Sequence, residues 1–199
     1  MGITAKQFDE LQRRMARGAS GDTAALPGMG VPKVRVILGL DPSLRGTGWG
    51  VVQVDGTRLS ALGHGTIRCP SSWLRTRCLA RINETLRDVL KAHPAEVVAV
   101  EGLFHAQNLR TALTMGEARG AAMAAVAMAG LAVYEMAPRK VKLAVAGHGA
   151  AAKEAVGRMV QRLLGLDAVP DADAADALAV AIAYAQEAGR LSTNPPRPI

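Results

Sequence analysis

VRVILGLDPSLRGTGWGVVQVDGTRLSALGHGTI, residues 34–67, holds three strands in succession. Val34 to Leu40 is a β-branched and aliphatic run, the pattern of a strand buried on both faces. It closes at Asp41-Pro42. Gly46 to Val54 and Leu59 to Ile67 follow as two further strands, joined by Asp55-Gly56-Thr57, where Asp-Gly is a strong hairpin signal. The three form a meander.

Downstream, strands and helices alternate. Trp73 to Lys91 sets Trp73, Cys78, Ile82, Leu86, Val89 and Leu90 on one helical face, with Arg75, Arg77, Arg81 and Arg87 elsewhere, which predicts an amphipathic helix with a basic side. Val97 to Val100 is a short buried strand closed by Glu101, Asn108 to Met128 a long alanine-rich helix, and Leu131 to Met136 a fifth strand. Helices are then expected over Pro138–Val145, Ala152–Leu164 and Asp173–Ala188. A strand-helix-strand crossover makes its strands parallel. The expected fold class is therefore α/β, a mixed five-stranded sheet with helices on both faces.

Upstream, residues 1–33 read as a separate arm. Thr4 and Gln7 match a capping box, and Phe8, Leu11 and Met15 recur at helical spacing, so a short helix is expected over 4–17 with a linker behind it. Residues 34–190 are expected to form the folded domain. Residues 191–199, with Pro195, Pro196 and Pro198, read as a disordered tail.

Hydrophobic residues make up 49% of the chain and charged residues 21%, which excludes wholesale disorder and a fibrous chain. The longest uncharged apolar stretch, Gly120 to Tyr134, has 15 residues, short of the roughly 20 a membrane-spanning helix needs, so no membrane association is expected. Lys plus Arg exceed Asp plus Glu by 24 to 17, a net charge of +7. A polyanionic partner fits that excess, and plain surface solubility fits it equally well. Cys69 and Cys78 form no CxxC and fit neither a disulfide framework nor a zinc site. They read as reduced thiols of a cytoplasmic protein.

Four carboxylates stand out by position. Asp41 ends the first buried strand and Glu101 the fourth, and in open α/β sheets ligands collect outside the carboxyl ends of the strands. Asp173 and Asp176 are three residues apart at the start of the last helix and share one of its faces. Gathering like charges is costly unless a cation neutralises them, and oxygen-only ligation suits Mg2+ or Mn2+. Taken singly, Asp41 before Pro42 also reads as a turn former, and Asp171 or Asp173 as a helix cap. Asp176 lies past the capping position. Glu101 follows Val97-Val98-Ala99-Val100 directly, where a lone acid begins in a place that should be buried, and these two carry the metal reading. Gly39 to Gly48 also resembles the first phosphate loop of actin-like ATPases and sugar kinases. Those enzymes duplicate the fold, and the chain after Lys33 holds one copy.

The stretch from Ile37 to Glu187 resembles the RuvC family of bacterial Holliday junction resolvases. The matching words are Leu38-Gly39-Leu40-Asp41-Pro42 with Thr47-Gly48-Trp49-Gly50, Glu101-Gly102-Leu103-Phe104 with Ala106-Gln107-Asn108, and Gly116-Glu117-Ala118-Arg119-Gly120. Pro138-Arg139-Lys140-Val141-Lys142, Lys153-Glu154 and Asp173-Ala174-Ala175-Asp176-Ala177-Leu178-Ala179 follow in the same order. The resemblance implies an RNase H-like fold, a homodimer, and a metal-dependent endonuclease that nicks opposed strands of a four-way DNA junction. It further implies two Mg2+ per active site, with Mn2+ as a substitute, and the RuvA and RuvB branch-migration complex as a partner.

By position, Asp41, Glu101, Asp173 and Asp176 match the family's catalytic carboxylates and metal ligands. Phe104 matches an aromatic that stacks on a base at the opened junction centre, and Lys142 and Lys153 match basic residues that contact DNA. Asn108 and Arg110 complete the candidate DNA contacts. The alanine-rich helix around Met115 to Met128 is a candidate dimer interface, because small side chains allow close approach. After Asp41-Pro42 the family has Gly-Ser where this chain has Ser43-Leu44, so that turn is expected to approach phosphate less closely. Three alternatives stand beside the resolvase: a related nuclease acting on flaps or structured RNA, a catalytically silent junction-binding protein, and a minimal phosphotransferase.

Overall fold

The computed structural model describes residues 35–102, 108–189 and 198–199. The arm expected over 1–33, with its helix at 4–17, and Phe104 lie outside the described residues.

The strand-rich opening folds as β1 (Arg35–Asp41), β2 (Gly46–Asp55) and β3 (Arg58–Arg68), each antiparallel to the next. Gly56 makes the β2–β3 turn at φ 59°, the left-handed region a tight hairpin turn requires. Then come α1 (Arg75–Ala92), β4 (Val97–Glu101), α2 (Leu109–Met128), β5 (Val133–Met136), α3 (Pro138–Ala146), α4 (Lys153–Leu164) and α5 (Ala172–Gly189). The crossovers through α1 and α2 make β4 parallel to β1 and β5 parallel to β4, giving a five-stranded sheet of order β3-β2-β1-β4-β5.

Alternation along the strands splits the core in two. Ile37, Val52, Val97 and Ala99 face a layer built from α3, α4 and α5, whereas Leu38, Leu40, Val51, Val98 and Val100 face α1 and α2. The central strand β1 serves both layers, which is why apolar residues follow one another from Val36 to Leu38 and again at Leu40 rather than alternating with polar ones. Cys69 and Cys78 are free and buried. Among the described residues no helix is long and apolar enough to cross a membrane.

The approach of α5 to the sheet positions the site. Gly46, Gly48 and Gly50 alternate on β2 and face that helix. A Cβ at Gly48 would lie 1.9 Å from the Asp173 carbonyl oxygen, and one at Gly39 on β1 would lie 2.0 Å from that of Ala177. The helix therefore rests on bare backbone, with Ala174, Ala177, Leu178 and Ala181 buried beneath it.

At the far edge, Ile199 N–H donates to the Val133 carbonyl at 2.9 Å and Pro198 bridges Tyr134. For these two residues the expectation of a disordered tail gives way to an ordered contact. β5 is an edge strand whose unpaired backbone groups accept another segment.

Candidate functional site

The two ends that carry Asp41 and Glu101 lie side by side. β1 and β4 run parallel with Leu40 opposite Val100, and each acid stands one residue further on. Asp41 also faces Gly48 across the β1–β2 ladder. Because α5 presses on Gly46 and Gly48, its first turn meets the same end of the sheet: the Asp173 carboxylate lies against Gly46, and Asp176 follows one turn later.

The turn after Asp41 is closed by its own side chains. The Ser43 hydroxyl accepts from Gly46 N–H at 3.1 Å, and the fully buried Thr47 hydroxyl donates to the Ser43 carbonyl at 2.5 Å. Arg45 donates to the carbonyls of Pro70 at 2.5 Å and Trp73 at 3.2 Å, tying this turn to the loop before α1.

Electrostatics join the four acids. Burial pushes the Asp41 carboxyl up to about 7; the negative charges of Glu101, Asp176 and Asp173 add to the rise, and Lys153 opposes it. Glu101 is raised as well, by burial first and then by Asp176, against the pull of Lys153 and Lys142. Lys153 Nζ donates to Asp176 Oδ2 at 2.9 Å, and that bond and charge hold its ammonium above the usual lysine range. The groups acting on Asp41 and Glu101 are thus acids and lysines, with no histidine among them.

Of the residues singled out in the sequence, Asp41, Glu101, Asp173, Asp176, Lys142 and Lys153 come together. Asn108 and Arg110 sit at the start of α2. The Asn108 side chain accepts from Thr111 N–H at 2.9 Å and so caps that helix. Asp171, just before α5, gives its carboxylate to Arg68 at 2.8 Å. Among the described residues no three His, Cys, Asp or Glu side chains converge on one point as a finished ion cage. Lys153 occupies Asp176 Oδ2.

The donor set still fits a hard divalent cation. It is all oxygen, and burial first, with the charges of Glu101, Asp176 and Asp173 behind it, raises the Asp41 carboxyl to about 7, a cost that such an ion would relieve.

Two parts of the site escaped the sequence reading. Arg119 belongs to a quoted motif without a role, and in the structure it is buried against the end of β4. The glycine lane under α5 appears in sequence as glycines at every second position of β2 and an alanine-rich helix, and nothing local says that the two meet.

Comparison with known proteins identifies the family. The family profile described as "Crossover junction endodeoxyribonuclease RuvC" matches residues 37–184. The curated protein of that name from Hyphomonas neptunium is 48% identical over 149 residues, covering 75% of this chain and 89% of its own length. That from Rubrobacter xylanophilus is 43% identical over 158 residues, covering 79% and 88%. Among solved structures, T. thermophilus RuvC in complex with Holliday junction substrate matches with a TM-score of 0.75 and 36% identity, over 82% of this chain and 99% of that one. The yeast mitochondrial Holliday junction resolvase Ydc2, at TM-score 0.54 and 14% identity, shares the fold, which is RNase H-like. On sequence and architecture together, this chain belongs to the RuvC family of crossover junction endodeoxyribonucleases.

Proposed function

We propose that the chain is a Holliday junction resolvase, a metal-dependent endonuclease that makes paired nicks in opposed strands of four-way DNA junctions. The observation that carries this reading is the meeting of Asp41, Glu101, Asp173 and Asp176 with Lys142 and Lys153 at one end of the sheet. The four carboxylates would hold two Mg2+ ions, or Mn2+ in their place. Bound there, the ions would lower the pKa of a water and neutralise charge developing on the scissile phosphate. Asp41, whose carboxyl is raised chiefly by burial, would be relieved of part of that cost by a bound cation. Lys153 neutralises Asp176 and, with an exposed stem, reaches toward a phosphate. Such contacts position a backbone without reading its sequence.

Junction selectivity then comes from geometry. Two sites related by a two-fold axis meet two strands of a junction with matching symmetry. The outer face of α2 suits the dimer contact: Leu109 is 75% exposed, Leu113 and Met128 are exposed too, and Gly116 and Gly120 have open space beside them. The RuvA and RuvB branch-migration complex is the partner this reading expects. Two buried free thiols suit the reducing cytoplasm.

The test is cleavage of a labelled synthetic four-way junction in Mg2+, beside linear duplex, flap and RNA controls, with wild type and Asp176→Asn. Paired nicks confined to the junction and absent from the variant are expected. Preferential cutting of flap or RNA would overturn the substrate, and tight junction binding with no cleavage in Mg2+ or Mn2+ would make the chain a silent binding protein. Phe104→Ala is expected to keep fold and junction affinity while cleavage falls about 10- to 100-fold, the scale of one lost base stack. Parental cleavage by that variant would remove the stacking role.

A further inference from the structure

Arg119 is an anomaly on α2. Its neighbours on the inner face, Ala118, Ala122 and Ala125, are fully packed, and its own residue surface is 8% exposed. Burying a guanidinium costs several kcal/mol unless charge and hydrogen bonds compensate it. The compensation here is specific. Nη1 donates to the Glu101 carbonyl oxygen at 2.5 Å, and Nη2 pairs with Glu135 Oε2 in a close ion pair. One planar fork therefore links the last residue of β4 to the third residue of β5.

The link falls on a particular peptide. The carbonyl of the Glu101–Gly102 peptide is held by Arg119, and its N–H donates to the Met136 carbonyl at 2.9 Å. Both polar ends of that peptide plane are thus fixed, from the helix on one side and from β5 on the other. The plane sets the backbone at Glu101 and so the direction in which its carboxylate leaves the strand. Gly102 keeps the clamp compact: a Cβ there would lie 3.1 Å from Glu135 Oε1 and 3.3 Å from the carbons behind it.

We propose that Arg119, with Glu135 as its counterion, is a positioning residue that aims the Glu101 carboxylate at the divalent-ion site. The proposal rests on the nuclease reading of that site. A guanidinium acting through a ligand's backbone belongs to the outer shell of a metal site, where removal typically costs 10- to 100-fold in metal affinity or activity.

Arg119→Met, Arg119→Lys and Glu135→Gln in the full chain test it through three measurements: Mn2+ binding without DNA by calorimetry, junction affinity in EDTA, and single-turnover cleavage against Mg2+ concentration. The expected result for Arg119→Met is a cooperative melt, unchanged junction affinity, Mn2+ affinity and cleavage each reduced about 10- to 100-fold, and partial rescue by Lys. Glu135→Gln is expected to show the same pattern more weakly, and it decides the matter if Arg119→Met does not fold. Mn2+ affinity and cleavage equal to wild type in a folded variant would overturn the proposal. So would losses of junction binding and cleavage in step with stability and without change in Mn2+ affinity, which is the signature of a merely structural residue. Failure of the wild type to cut any junction would instead count against the nuclease reading, because the Mn2+ comparison reports on the clamp alone.

Discussion

Replacing Asp41 with asparagine is expected to abolish junction cleavage and, at pH 8 in EDTA, to raise the melting temperature of the protein. The first effect follows from losing a ligand whose contribution to transition-state charge stabilisation is several kcal/mol, about 10³-fold in rate or more. The second follows from the environment of the carboxyl. Its ordinary value of 3.8 applies in the unfolded chain, and burial together with Glu101, Asp176 and Asp173 lifts it to about 7 in the folded one. A carboxyl raised on folding binds its proton more tightly in the native state. Stability from this group is therefore greatest below pH 4, declines as pH rises from about 4 to 7, and stays low above 7.

Each unit of such a shift is worth about 1.4 kcal/mol, so ionised Asp41 costs the native state a few kcal/mol at pH 8. Asparagine, of the same shape and without charge, removes that cost. The stability gap between variant and wild type should then shrink steadily as pH falls toward 4. Thermal melts of both proteins across that range, with chelator present, read the gap directly. A variant less stable than wild type at pH 8, or a gap independent of pH, would show that the Asp41 carboxyl is not raised on folding. Divalent ions need the ionised form, so wild type should release protons when it binds Mg2+ near pH 6.5, and Asp41→Asn should release fewer.

Much of this was legible in the chain because it is local. The apolar run from Val34 to Leu40 marks a strand flanked by two layers, and the structure gives it Ile37 on one side and Leu38 and Leu40 on the other. Acids at the ends of two such runs, and a pair three residues apart on a helix, place themselves at one sheet edge by topology alone. What was not legible depends on long-range pairing. Arg119 reads as one more arginine of a basic protein until its partners on β4 and β5 are known. Asn108 caps α2, a use that its position before an alanine-rich helix also encodes and that leaves its expected DNA contact open to test. The hydrogen bonds that Ser43 and Thr47 make within the first turn join residues three or four apart and depend on how the turn folds. The contact of Ile199 with β5 depends on which strand lies at the edge, and strand order is not a local property.

Gly48→Ala is expected to cost the fold about 3 kcal/mol or more, at the upper end of what overpacking does. The added methyl would sit 1.9 Å from the Asp173 carbonyl oxygen and 2.5 Å from its carbon. Both are backbone atoms of the first turn of α5, so no rotamer change relieves the overlap, and the helix must lift off β2. Its buried face, from Ala174 through Tyr184, then loses contact with the sheet. Gly46→Ala provides the contrast two residues earlier on the same face of the strand. Its methyl would meet Asp173 Oδ2 at 2.6 Å, the tip of a side chain that can swing away. That variant should melt close to wild type and still lose most of its cleavage, because the displaced group is one of the four carboxylates. Urea unfolding and junction cleavage measured on both separate the two roles of the glycine lane, seating the helix and aiming its acid. A Gly48→Ala protein as stable as wild type would mean that α5 does not rest on the strand backbone. A Gly46→Ala protein cutting at the parental rate would mean that the position of Asp173 does not matter to the chemistry.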